Sequence, residues 1–196
     1  MPDDEADVFG GRRGEGGECL RRSRFSMRRL KDAEELLVHC NSLGHPLPQK
    51  AAVFKRAGLV VALTAWETYV EDRVLEGVKH RVSADAIHAE RFMLAKLDEE
   101  LKRFNTPATD KTRKLFIDYL ETDVTTAWHW NGGDVAKAKE KLDALVKKRG
   151  DAVHRSKVAV SGASAPHLVS KDDLEKAIRF LKELVPSTEK ALGDAG

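Results

Sequence analysis

The chain has 196 residues, enough for one domain with a core of its own and a tail. Its 34 basic and 32 acidic side chains leave a formal net charge of +2, which excludes a whole-molecule field that draws it to nucleic acid; any such attraction has to come from local patches. Two cysteines, Cys19 and Cys40, make neither a disulfide framework nor a metal set, as suits a reducing cytoplasm.

Residues 1–18 contain five glycines and few apolar groups and read as the start of a disordered tail, taken here as 1–26 and followed by a helical domain over 27–196. No signal peptide is visible in this start, and no apolar run anywhere approaches the roughly 18–20 residues of a membrane span, so no membrane partner is expected. Arg21, Arg22, Arg24, Arg28, Arg29 and Lys31 form a basic run: a solvated helix start or an RNA-contacting arm. Met27 opens a good helical sequence and is a candidate alternative start. A first helix is expected over 27–42, ended by Gly44-His45-Pro46-Leu47-Pro48. A second, from about Gln49 to His80, is rich in Leu, Val and Ala at its centre and charged at its ends, as suits the buried spine of a bundle.

Ser83 is a natural cap for a third helix reaching about Phe104, with Thr106-Pro107 behind it. A fourth is expected over 110–122. Trp128-His129-Trp130-Asn131-Gly132-Gly133 reads as a turn with two large aromatics. These either pack the loop onto the core, the commoner use, or stack on bases of single-stranded RNA. A fifth helix covers about 134–149 or beyond, and Ser161–Pro166 reads as a loop. Ser170 and Asp173 then form a capping box, with Asp in place of the usual Glu, for a sixth helix over 171–192 that Pro186 is expected to interrupt. No segment alternates with period two, so the fold class is all-α, a bundle of about five to six helices.

The densest chemistry lies late in the chain. Between Leu145 and Lys157 there are five basic residues, Lys147, Lys148, Arg149, Arg155 and Lys157, against one acid, Asp151. Within that cluster His154 follows Arg149 by five positions, the only one of the seven histidines with an arginine at that distance before it. An arginine fork grips phosphate, and a histidine moves protons near neutral pH. A solvated basic helix end is the alternative reading. Five positions on an ideal helix amount to about 500°, which leaves the two side chains some 140° apart around the axis. A shared site therefore needs a break at Gly150, a poor helix former, or a two-fold partner that supplies the second residue. Glu67 and Glu71, four apart on the second helix, lie on one face, where one of them can fix the Arg149 fork; solvated acids are the plain alternative. Trp66 and Tyr69 suit a core or an interface.

The pattern Arg149-x4-His154, placed 82 residues after Glu67 in the stretch Trp66-Glu67-Thr68-Tyr69, resembles the HEPN superfamily, and in particular the branch written RiboL-PSP-HEPN. The resemblance covers about 27–190 and implies a HEPN-type helical bundle that acts as a metal-independent endoribonuclease. In such enzymes the 2′-hydroxyl attacks the adjacent phosphodiester, leaving a 2′,3′-cyclic phosphate and a 5′-hydroxyl. Carried over, Arg149 binds the scissile phosphate and His154 is the general base or acid, with Asp151 and Glu67 in support and Lys147, Lys148 and Arg155 as RNA contacts. Many members place Asn, Asp or His directly after the arginine, where this chain has Gly150; that departure leaves a non-catalytic module binding RNA, nucleotide or protein as the alternative. The resemblance further implies a homodimer, a toxin–antitoxin or phage-defence setting and an antitoxin or regulatory partner. No cofactor is expected and no metal set is recognisable, because the cysteines and histidines lack ligand spacing.

Overall fold

The computed structural model describes residues 16–43, 50–81, 87–130, 133–154 and 169–193. Six α-helices and a short 3-10 turn make up this part, with no strand among the described residues. They are α1 (Gly16–Ser42), α2 (Lys50–Arg81), α3 (Ile87–Leu101), α4 (Thr109–Leu120), α5 (Val135–His154) and α6 (Lys171–Gly193). The 3-10 turn, Val124–Ala127, follows α4. α1 spans Gly16–Ser42, so the first helix takes in residues 16–26 as well as the expected 27–42. Arg, Leu and Glu favour helix, and nothing after Gly17 interrupts them. Residues 1–15, the Ser83 cap, the Gly44–Pro48 break and the 161–166 loop lie outside the described residues.

α2 is the spine. It packs against α1, α3, α4, α5 and α6, and no other helix touches so many neighbours. Its sequence permits this because buried residues cover about half its circumference: Leu59, Leu63, Trp66, Tyr69, Val70, Val74 and Val78 are all essentially inaccessible. Close approach comes from two glycines. A Cβ on Gly58 would stand 2.7 Å from a Leu174 methyl of α6, and one on Gly77 would stand 2.6 Å from a Leu120 methyl of α4.

The tryptophans settle into the core. Trp66 stacks on Tyr69 with ring centres 5.3 Å apart and meets Trp128 edge-on at 6.0 Å. Each large ring removes on the order of 150–250 Å² from water. Their buried N–H groups are satisfied, Trp66 Nε1 by the Pro107 carbonyl (3.2 Å) and Trp128 Nε1 by Thr188 Oγ1 (3.0 Å). Trp128 is fully buried and so is no platform for a base, while Trp130 is half-buried and leans on Phe180, ring centres 5.6 Å apart.

α6 starts on the capping box expected for it: Ser170 Oγ accepts from the Asp173 N–H (3.0 Å), and Asp173 Oδ2 accepts from the Ser170 N–H (2.8 Å). Contrary to expectation, Pro186 does not interrupt it; α6 runs on to Gly193. Proline removes the donor for the Lys182 carbonyl. Pro186 is solvent-exposed, so water can replace that bond. Around it Ser187 and Thr188 donate their hydroxyls back to the carbonyls of Glu183 and Leu184.

Candidate functional site

Three helices meet at one face of α2. On an ideal helix, Glu67, Glu71, Thr68 and Asp72 fall within an arc of about 140°. α5 supplies Arg149 to one side of this arc: its guanidinium donates to Glu67 Oε2 at 2.6 Å. α1 supplies Arg29 to the other side, donating to Thr68 Oγ1 at 2.7 Å. The Arg149 and Glu67 side chains are 21% and 18% exposed, so the pair is shielded enough to hold its geometry yet remains partly open to solvent. A guanidinium has five N–H donors; the bond to Glu67 uses one side of the fork and leaves others for an anion.

The α5 backbone places the other members of the basic cluster differently. Helix α5 passes through Gly150 without a break and continues to His154, so of the two alternatives the break at Gly150 is absent. A Cβ at Gly150 would meet nothing within 4 Å, so no packing contact requires glycine at this position. Within one chain, positions 149 and 154 therefore lie about 140° apart around an unbroken axis. The His154 side chain and the whole of Arg155 lie outside the described residues. Asp151 is half-buried and Lys147 exposed. Lys148 is engaged elsewhere: its Nζ reaches Asp173 Oδ2 at 2.7 Å and ties α5 to the first turn of α6. Partial burial opposes the charge on Asp173, but the hydrogen bonds from Lys148 and Ser170 outweigh it and bring this carboxyl down to about 2.

Glu71 behaves in the opposite sense. Burial first, then the negative charges of Glu67 and Asp72, push its carboxyl up to about 7, with Arg29 pulling the other way. A half-buried carboxyl raised this far, one turn from the carboxylate that holds Arg149, marks a candidate functional site. Sequence reasoning finds Glu67 and Glu71 through their spacing but misses Arg29 and Asp72. Arg29 is one of six cations in a run, and nothing in its local pattern says that it turns towards α2.

A second charged network lies further along α2. Tyr69 donates its hydroxyl to Glu189 Oε1 (2.8 Å), Arg73 reaches the same carboxylate through Nε (2.9 Å), and Arg73 also binds Glu76 (2.6 Å). Burial, then the neighbouring Glu189 charge, raises the Tyr69 phenol well above its ordinary range, so it stays protonated and donating. This network joins α2 to α6 inside the bundle and serves structure.

Among the described residues no group of three or more His, Cys, Asp or Glu side chains is arranged to hold a metal ion. Nor is any helix among them long and apolar enough to cross a membrane. No curated protein and no solved structure matches the chain significantly. The RiboL-PSP-HEPN family model, by contrast, matches residues 28–194, from the middle of α1 through the end of α6 and with both Glu67 and Arg149 inside it, and the chain belongs to that family.

Proposed function

We propose that this protein is a metal-independent endoribonuclease working in the cytoplasm, in a toxin–antitoxin or phage-defence role under an antitoxin or regulatory protein. The observation that carries the reading is the Arg149–Glu67 pair, set at the meeting of α2 and α5 inside the matched region. Glu67 orients the fork, and its open edge receives the scissile phosphate and offsets charge that builds on it during reaction. The 2′-oxygen forms a bond to phosphorus as its proton leaves, and the bond from phosphorus to the 5′-oxygen breaks as that oxygen gains one. His154 serves as the base in the first transfer or the acid in the second. Because α5 is unbroken between positions 149 and 154, His154 comes from a second copy, in a homodimer whose two α5 helices line one cleft. Lys147, Lys148 and Arg155 add phosphate contacts along the strand, Lys148 by exchanging Asp173 for RNA, and Asp151 steadies the Arg149–His154 segment.

The same unbroken helix favours a second reading, a non-catalytic module that binds RNA through Arg149 alone. One experiment separates the two: single-stranded RNA in EDTA, with wild type, Arg149→Ala and His154→Ala. Cleavage by wild type that leaves cyclic phosphate, reduced at least about 100-fold in both variants, is the expected result. Binding without cleavage selects the module, and neither activity rejects both. Native mass measurement reads the dimer.

A further inference from the structure

Glu71 has a place in this site that neither the Arg-x4-His pattern nor the Glu67 pair assigns to it. Taking Glu67 as zero on the α2 circumference, Glu71 falls at about 40° and Thr68 at about 100°. Glu71 therefore lies between the position bonded to Arg149 of α5 and the position bonded to Arg29 of α1. It is half-buried and one helical turn from Glu67, a separation of about 5–6 Å between Cβ atoms. The charged groups acting on it are Glu67 and Asp72 from α2 and Arg29 from α1; Arg149 of α5, with Asp151 two positions along, connects to it through Glu67.

We propose that Glu71 is a further positioning residue of the Arg149 site, acting through Glu67. The proton on its carboxyl sets how tightly the Arg149 guanidinium is held by carboxylate and how readily it takes a nucleic-acid phosphate instead. The proposal rests on the phosphate-binding role of Arg149. With Glu71 protonated, Glu67 alone faces the guanidinium, and an incoming phosphate meets one negative charge fewer. With Glu71 ionised, its charge adds to that of Glu67 one turn away, so Glu67 holds the guanidinium in a more negative surrounding that opposes the phosphate. Burial and the neighbouring acids put the changeover at about 7, inside the working range of a cell. Phosphate binding and the Glu71 proton are then linked: each favours the other by the same factor.

The test uses a labelled single-stranded oligoribonucleotide, 2′-O-methylated throughout so that it cannot be cleaved. Its affinity is followed by anisotropy from about pH 6 to about pH 8. Wild type is expected to lose on the order of tenfold in affinity across that range, corresponding to about one pH unit of coupling. Glu71→Gln is expected to bind at the low-pH level throughout. Glu71→Asp, which keeps a titrating carboxyl, restores the dependence with a moved midpoint. A wild-type profile without slope, or the same slope in Glu71→Gln (histidines doing the titrating), overturns the proposal.

NMR of the RNA-free protein separates this outcome from failure of the ribonuclease reading. The Arg149 guanidinium signals are expected to move with the Glu71 midpoint in wild type and to stay still in Glu71→Gln. If RNA does not bind at any pH yet those signals move, the nucleic-acid reading falls and the coupling stands. Static Arg149 signals overturn the coupling whatever RNA does.

Discussion

Glu71 also leaves a mark on stability. Its carboxyl is raised in the folded chain to about 7, so the fold holds the proton more tightly than the unfolded chain does. The associated stability is complete below the unfolded carboxylate range and is lost as pH climbs through about 7. Glu71→Gln cannot ionise and escapes that loss. The variant is expected to melt above wild type near pH 8, with the gap closing as pH falls towards about 5; a gap of constant size would mean that the proton plays no part. Asp173 runs the other way: its stabilisation is present above the ordinary aspartate range and fades only as pH drops through about 2. The Arg149 pair shows what the sequence holds and what it lacks at this scale. Glu67 and Arg149 are each readable as candidates, because the carboxylates repeat at helical spacing and the arginine sits in a basic cluster. Their contact depends on how α2 and α5 cross, 82 residues apart, and no local pattern encodes that crossing.

At the level of the helices, the two glycines in contrasting settings give opposite expectations. Alanine is about 1 kcal/mol better than glycine inside a helix. At Gly77 that gain meets both Leu120 methyls within 2.7 Å and the Leu120 Cγ at 3.2 Å, so the leucine has to shift to admit the new atom. Leu120 is itself buried, and overpacking of this kind costs about 1–3 kcal/mol. Gly77→Ala is therefore expected to lose about 1 kcal/mol net in urea unfolding, and Gly150→Ala, with open space around its Cβ, to gain up to about 1 kcal/mol. A loss at Gly150 would show that the glycine is needed after all. The helices themselves are legible in the chain because their punctuation is chemical: Ser170 with Asp173, Thr106-Pro107, the apolar run in α2. The 3-10 turn at Val124–Ala127 is not, because four residues are too few to display a period. What fixes it is local: Asp123 accepts from the Thr125 N–H and hydroxyl and from Arg113 Nε. Pro186 misleads because a proline within a helix weakens it without having to end it, and here the residue lies on the solvent side of α6.

Over the whole molecule, α6 closes the bundle on α2. On α2 it is held by the Tyr69–Glu189–Arg73 network and the Leu174 methyl seated over Gly58, and on the segment after the 3-10 turn by the Trp128–Thr188 hydrogen bond. These contacts join residues 60 to 120 positions apart, so the bundle is complete only when α6 docks. Trp128→Phe removes the bond to Thr188 and leaves a space behind a smaller ring. A loss of about 2–4 kcal/mol in urea unfolding is expected, and a near-neutral result would mean that the α6 contact is carried by its neighbours. The site inherits its rigidity from this closure, since Lys148 is anchored to the first turn of α6 one residue before Arg149.

The indole pair at the centre gives the protein an optical signature. Trp66 and Trp128 lie 6.0 Å apart with their planes inclined by 72°, close enough for their excited states to mix and asymmetric enough for the mixing to rotate light. Because one ring comes from the spine and the other from the segment that α6 covers, that near-ultraviolet signal reports the docking of the final helix, separately from the helix content that far-ultraviolet light records.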